Sequence, residues 1–200
     1  MDLQVEIASV RARTVVLPLD RPVRTSNLVI EARRFVLVEV TTTGGVRGHG
    51  FGFTRDGLVA EAVEHNLAPL LLGMDARHTE ACWQRMYSGT RYLGRKGLLM
   101  RAISAVDIAL WDVKGKVLGA PIWSLLGGFA ARVPVFVAGG YYGRATGVEE
   151  GADEFSAYGE AGYAGAKLNV GGLAFEQDLA RVAAAREALG TGARLAVDFN

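Results

Sequence analysis

Ala164-Gly165-Ala166-Lys167-Leu168-Asn169-Val170 is a short, mostly apolar stretch, followed after Gly171-Gly172 by a helical pattern, and its neighbours repeat that arrangement. Before it, Val133 to Gly139 reads as an apolar strand and Val148 to Ala161 as a helix stopped by Gly162. After it, Leu173 to Leu189 reads as a helix and Arg194 to Asp198 as a third strand. Strands alternating with helices across short turns form parallel βαβ units, whose strands are buried on both faces and so are apolar throughout. An open doubly wound sheet and a barrel both satisfy the pattern.

Toward the N-terminus the periodicity differs. Val5 to Phe53 is strand-like, with β-branched residues around Val10 to Leu17, then Phe35 to Val40, then Val46 to Phe53, the last two joined through Thr43-Gly44-Gly45 as a hairpin. Asp20 to Leu28, polar and punctuated by Pro18 and Pro22, is expected to be a mobile loop. Helical spacing follows in Leu58 to Leu71 and Thr79 to Tyr87. The longest helix is expected over Gly97 to Gly119, with Ile103, Val106, Leu110 and Val113 in its apolar stripe, before Pro121 opens a short helix that ends at Gly127-Gly128. Strands followed by helices describe a small α+β domain.

Half of the 200 residues are apolar and the formal charge is +1, which leaves ample material for a core and no basic stripe to neutralise a phosphate backbone. Nucleic acid is therefore excluded as a partner. No apolar run approaches the roughly 20 residues of a membrane span, and the first residues lack a signal-peptide pattern. Cys82 is the single cysteine, so an intrachain disulfide is impossible and a cytoplasmic location is expected, with the thiol a buried small hydrophobe.

The segment from Arg101 to Lys116, RAISAVDIALWDVKGK, and its sequel from Gly119 to Gly128, GAPIWSLLGG, resemble the signature of the mandelate racemase and muconate lactonizing enzyme family of the enolase superfamily. The resemblance covers essentially the whole chain. It implies an α+β capping domain over residues 1–128 and the first βα units of a modified (β/α) TIM barrel over residues 129–200, α/β overall, with catalytic groups at the C-terminal ends of barrel strands. Asp107, Trp111, Asp112 and Lys114 are expected to hold cap and barrel together. A barrel of eight units needs about 250 residues, and three strands follow the cap here, so the sequence is expected to be a fragment whose active site is incomplete.

Enzymes of this superfamily remove a proton beside a carboxylate and stabilise the enediolate on Mg²⁺. Asp198 falls where the family has its first acidic metal ligand, in an Asp-x-Asn motif completed by Asn200, and its hard oxygens suit Mg²⁺. A strand-end aspartate that opens a turn is the plain alternative. Lys167-Leu168-Asn169 lies where the family carries Lys-x-Lys, the period of two aiming both side chains into the barrel. Lys167 would pair with the substrate carboxylate. Asn169 stands where a second lysine would act as base; an amide only hydrogen-bonds and cannot accept the catalytic proton.

Losing one of two opposed acid/base groups disfavours racemisation, whereas a dehydratase can use a single histidine as base and then acid. The resemblance therefore implies a lyase that dehydrates a sugar acid, with racemase, cycloisomerase or a non-catalytic relative as alternatives. The partner is then a small hydroxy-carboxylate, and the intact protein is expected to be a homo-oligomer. Arg24, Thr25, Ser26 and Asn27 lie on the loop that closes over substrate in this family, and a solvated loop is the competing reading. His49, in Gly48-His49-Gly50, lies near the family's second specificity loop, against the alternative of a structural strand-end histidine. Tyr141 and Tyr142, after Gly139-Gly140, either reach substrate or pack.

Overall fold

The computed structural model describes residues 4–143 and 148–199. They fall into two compact units, one built from Met1–Leu17 and Arg33–Ala131, the other from Pro18–Ala32 and Arg132–Asn200.

A three-stranded sheet runs in the order β1 (Ile7–Arg24), β2 (Val29–Thr42), β3 (Arg47–Phe53), and all of it outside Pro18–Ala32 belongs to the first unit. β2 and β3 are antiparallel, with Val38 opposite Gly50 and Glu39 opposite His49. Alternation along β2 sends Val36, Val38 and Val40 into the core, where all three are buried. β1 corrects one expectation, because the strand continues to Arg24 through most of the stretch read as a loop. It lies at the sheet edge, where the missing N–H groups of Pro18 and Pro22 are tolerated. The turn that remains is confined to residues 25–28 and closed by the Thr25 amide donating to the Leu28 carbonyl at 2.9 Å.

Helices α1 (Val59–Ala62) and α2 (Ala68–Leu71) are joined by a π-helical turn, Val63–Leu67. That turn falls just before Pro69, whose missing N–H already interrupts the helical ladder. α3 (Thr79–Gly89), α4 (Leu98–Leu118) and α5 (Ile122–Leu125) follow. α4 ends on Gly119, left-handed at φ 61°, the stop that its glycine anticipates.

β3 packs directly on α4. Glycine makes this approach possible, since a Cβ on Gly48 would sit 2.7 Å from the Val113 nitrogen and one on Gly50 2.8 Å from the Ala109 nitrogen. The stripe Ile103, Val106, Leu110 and Val113 is buried in the same core as the β2 valines. Cys82 is buried there too, and desolvation pushes its thiol up to about 11, so it stays protonated and unreactive.

The second unit alternates β4 (Phe136–Gly139), α6 (Val148–Glu160), β5 (Gly165–Asn169), α7 (Phe175–Leu189) and β6 (Arg194–Asp198). The strands form one parallel sheet in that order. β4 is shorter than expected: pairing with β5 begins at Phe136 opposite Gly165, after Pro134 with its missing donor. Ala166, Leu168 and Val170 meet Phe155 of α6 and Ala185 and Leu189 of α7 in a buried cluster. Both helices therefore cover one face, and the intervening residues Lys167 and Asn169 take the other. Among the described residues no helix is long and apolar enough to cross a membrane.

Candidate active site

The parallel register places Asn169 beside Asp198 and Lys167 beside Ala196, so the lysine and the aspartate lie diagonally, two residues apart along adjacent strands. A four-carbon stem spans that diagonal. The Lys167 Nζ donates to Asp198 Oδ2 at 2.7 Å, with the two side chains 36% and 37% exposed. The pair stands at the C-terminal ends of β5 and β6, on the face away from the helices. There the ammonium is paired with a partly exposed carboxylate.

Asn169 differs sharply in environment. It is 1% exposed, and its Nδ2 donates to the Gly139 carbonyl on β4 at 3.3 Å. Its own carbonyl accepts from Arg181 Nη1 at 3.0 Å. The β5 terminus is thus held from both sides, through the Asn169 side-chain amide on β4 and its main-chain carbonyl on α7.

A buried polar network surrounds this terminus. The Tyr142 hydroxyl, after β4, donates to Asp178 of α7, lying 2.7 and 2.9 Å from its two oxygens, and accepts from the Gly172 amide at 2.8 Å. Asp178 also accepts from the Gly171 amide at 2.7 Å and from Arg181 Nη1 at 2.8 Å. The Arg181 Nη2 donates to the Gly140 carbonyl at 2.7 Å, and the guanidinium lies 4.2 Å from the Tyr142 ring centroid. Burial opposes ionisation of Asp178, but the hydrogen bonds from Tyr142, Arg181 and the two backbone amides of Gly171 and Leu173 outweigh it and hold the carboxyl below its ordinary range. Burial likewise raises the Tyr142 phenol, with the Asp178 hydrogen bond adding to it. Sequence reasoning missed Asp178 and Arg181, whose only signal is an Asp-x-x-Arg spacing common on solvated helices.

The segment with Arg24, Thr25 and Asn27 belongs to this same unit. Arg24 exchanges backbone hydrogen bonds with Tyr142, 3.0 Å from its amide and 2.8 Å to its carbonyl, and its Nη2 donates to the Gly172 carbonyl at 3.3 Å. The Thr25 hydroxyl donates to Asn27 Oδ1 at 3.3 Å, and the Ser26 hydroxyl donates to the Phe199 carbonyl at 3.1 Å. Tyr141, half-buried, adjoins Tyr142 at the end of β4. Asn200 lies outside the described residues. His49 lies in the first unit: its Nε2 is 3.2 Å from Glu39, and its amide donates to Asp112 at 2.8 Å. Burial opposes ionisation of Asp112, yet Lys116 and the His49 amide outweigh it and hold that carboxyl low.

Asp198 offers the hard oxygen donor that a small divalent cation prefers. Among the described residues no three His, Cys, Asp or Glu side chains gather as a metal cluster, so Asp198 is a single candidate ligand.

Residues 7–127 match the family model for the mandelate racemase/muconate lactonizing enzyme N-terminal domain, and residues 150–200 match the enolase C-terminal domain-like model. The chain is 37% identical to an arabinonate dehydratase of Saccharolobus solfataricus, over 82% of this chain and 45% of the relative. It is 35% identical to a D-galactarolactone cycloisomerase of Agrobacterium fabrum, over 98% of this chain and 52% of the relative. A crystal structure of a racemase from Streptomyces coelicolor, solved with bound magnesium, superposes with a TM-score of 0.86 at 33% identity, over 97% of this chain and 55% of that one. The chain spans about half the length of the curated relatives it matches. These likenesses decide between an open sheet and a barrel: the parallel sheet of β4, β5 and β6 is the start of a barrel, and the antiparallel sheet belongs to a capping domain. On both matching domains, the chain belongs to the mandelate racemase/muconate lactonizing enzyme family of the enolase superfamily.

Proposed function

We propose that the whole protein is a lyase that dehydrates a sugar acid, an aldonate or aldarate, with Asp198 as a Mg²⁺ ligand and Lys167 facing the substrate carboxylate. The observation that carries this reading is the 2.7 Å approach of Lys167 to Asp198 at the ends of adjacent parallel strands. One side chain is suited to a divalent cation and the other to an anionic substrate, and the two share one small space.

When bound, Mg²⁺ supplies Lewis-acid charge that acidifies the hydrogen beside a carboxylate. Lys167 contributes a second positive charge on a flexible stem, able to turn from Asp198 toward the substrate carboxylate and offset the charge that develops there. Asn169, with its amide anchored on Gly139, contributes a fixed hydrogen-bonding group and no proton transfer. Arg24, Thr25, Asn27, Asn200 and Tyr141 remain candidate contacts to substrate hydroxyls.

The near-complete coverage of this chain by a galactarolactone cycloisomerase favours a second reading, cycloisomerisation of a sugar-acid lactone. Product analysis separates the two. The whole protein, given Mg²⁺ and a panel of aldonic and aldaric acids and their lactones, is expected to yield a 2-keto-3-deoxy acid. Ring-opened or isomeric products without loss of water would transfer the reading to cycloisomerase. No turnover with metal demonstrably bound would count for a non-catalytic relative.

A further inference from the structure

We infer that Tyr142, Asp178 and Arg181 are positioning residues that clamp segment 24–28 onto the ends of the barrel strands, tying the placement of that segment to the placement of Asn169. Three observations converge on this. The network is closed: Asp178 and Arg181 are 11% and 9% exposed in their side chains, and among the described residues no buried side-chain polar atom lacks a partner. It reaches both ends of the coupling, because Arg181 holds the Asn169 carbonyl while Tyr142 holds the Gly172 amide. The same Gly172 then accepts from Arg24 through its carbonyl.

Steric fit adds an independent argument. A Cβ on Gly172 would lie 2.9 Å from the Tyr142 ring carbon Cζ and 3.1 Å from the Ser26 Cα, so glycine is needed for segment 24–28 to seat against the turn. Gly171, at φ 87°, shapes that turn and presents its amide to Asp178. A peptide linked at its backbone to Tyr142 and through Arg24 to Gly172 is anchored on the strand ends. The segment therefore sits as a docked wall of the site, and its release requires the turn at residues 171–173 to move.

The docking holds whatever reaction the site performs; its effect on turnover rests on the reading above. The test is hydrogen exchange on the whole protein carrying Tyr142→Phe, which keeps the ring and removes the hydroxyl. Loss of one hydrogen bond should accelerate exchange at the Gly172 amide roughly tenfold, with a parallel rise across residues 24–28 and none in the helix Leu98–Leu118. Gly172→Ala gives a second route that keeps every polar side chain but crowds both the Tyr142 ring and the Ser26 backbone, with the same rise expected at residues 24–28. In turnover assays both variants should raise KM about tenfold while kcat changes less than about threefold, the split expected when binding geometry and not chemistry is disturbed. Unchanged exchange at residues 24–28 in both variants, or acceleration spread evenly over the chain, overturns the inference. Absence of any activity would leave the exchange result standing and would count only against the proposed reaction.

Discussion

Replacing Lys167 by Ala separates a site residue from a structural ion pair. The pair with Asp198 is short at 2.7 Å, but both side chains are more than a third exposed, so water screens their attraction. Pairs of that kind contribute about 0–1 kcal/mol to stability, and Lys167→Ala should shift the urea unfolding free energy of the whole protein by no more than that. In the proposed reaction its role toward an anionic substrate would be different, because it would act where charge develops. Removal of one such stabilising group typically lowers turnover by about 10²–10³-fold, or roughly 3–4 kcal/mol of barrier. The expected signature is thus a nearly native unfolding curve with activity on the preferred sugar acid reduced at least about a hundredfold. His49→Ala, which touches Glu39 in the other unit, should depress turnover less. A loss of more than about 3 kcal/mol of stability, outside the range of an exposed pair, would make Lys167 a structural residue. Retained activity, or a larger effect from His49, would mean that the site lies elsewhere.

Other measurements bear on the remaining arguments. Asp178 has a folded pKa held below its ordinary value, so the stability it contributes is present above the unfolded pKa near 3.9 and is lost as pH falls through the lower folded value. Asp178→Asn should therefore flatten the acid limb of the stability curve below about pH 4 while costing about 3–5 kcal/mol at neutral pH, because Arg181 loses its buried partner. Gly50→Ala places a Cβ against the backbone of α4 and should cost at least about 1–3 kcal/mol, whereas Gly52→Ala, with open space around it, should stay within about 0.5 kcal/mol by the same denaturation assay. Mg²⁺ at a hundred times its Kd should stabilise the whole protein against unfolding by about 2.7 kcal/mol, and Asp198→Asn should shift that dependence to higher metal concentration. An identical metal dependence in the variant would remove Asp198 from the ligand set.

Much of the fold was legible because its signals are local. The period of two in Val36, Val38 and Val40, the helical stripe of Leu98–Leu118 with its glycine stop, and the βα alternation after Phe136 each depend on residues a few positions apart. Strand alternation also put Lys167 and Asn169 on one face, and strand order put Asp198 beside them. Where local grammar misled, the decisive condition was not local: prolines are tolerated in β1 because that strand is an edge, which no window of its own residues reveals.

The sequence by itself determined the order of elements, the family and the strand-end positions of Lys167, Asn169 and Asp198. Only the tertiary structure decided that Tyr142 would meet Asp178 across 36 residues, and that Arg24 would reach Gly172 across 148. It also showed that the glycines around His49 serve the approach of β3 to α4. The physical reason is common to all three. Hydrogen-bond partners and close backbone contacts are fixed by which chain segments share space, and a tyrosine, an aspartate or a glycine carries no mark of the distant group that will satisfy or crowd it.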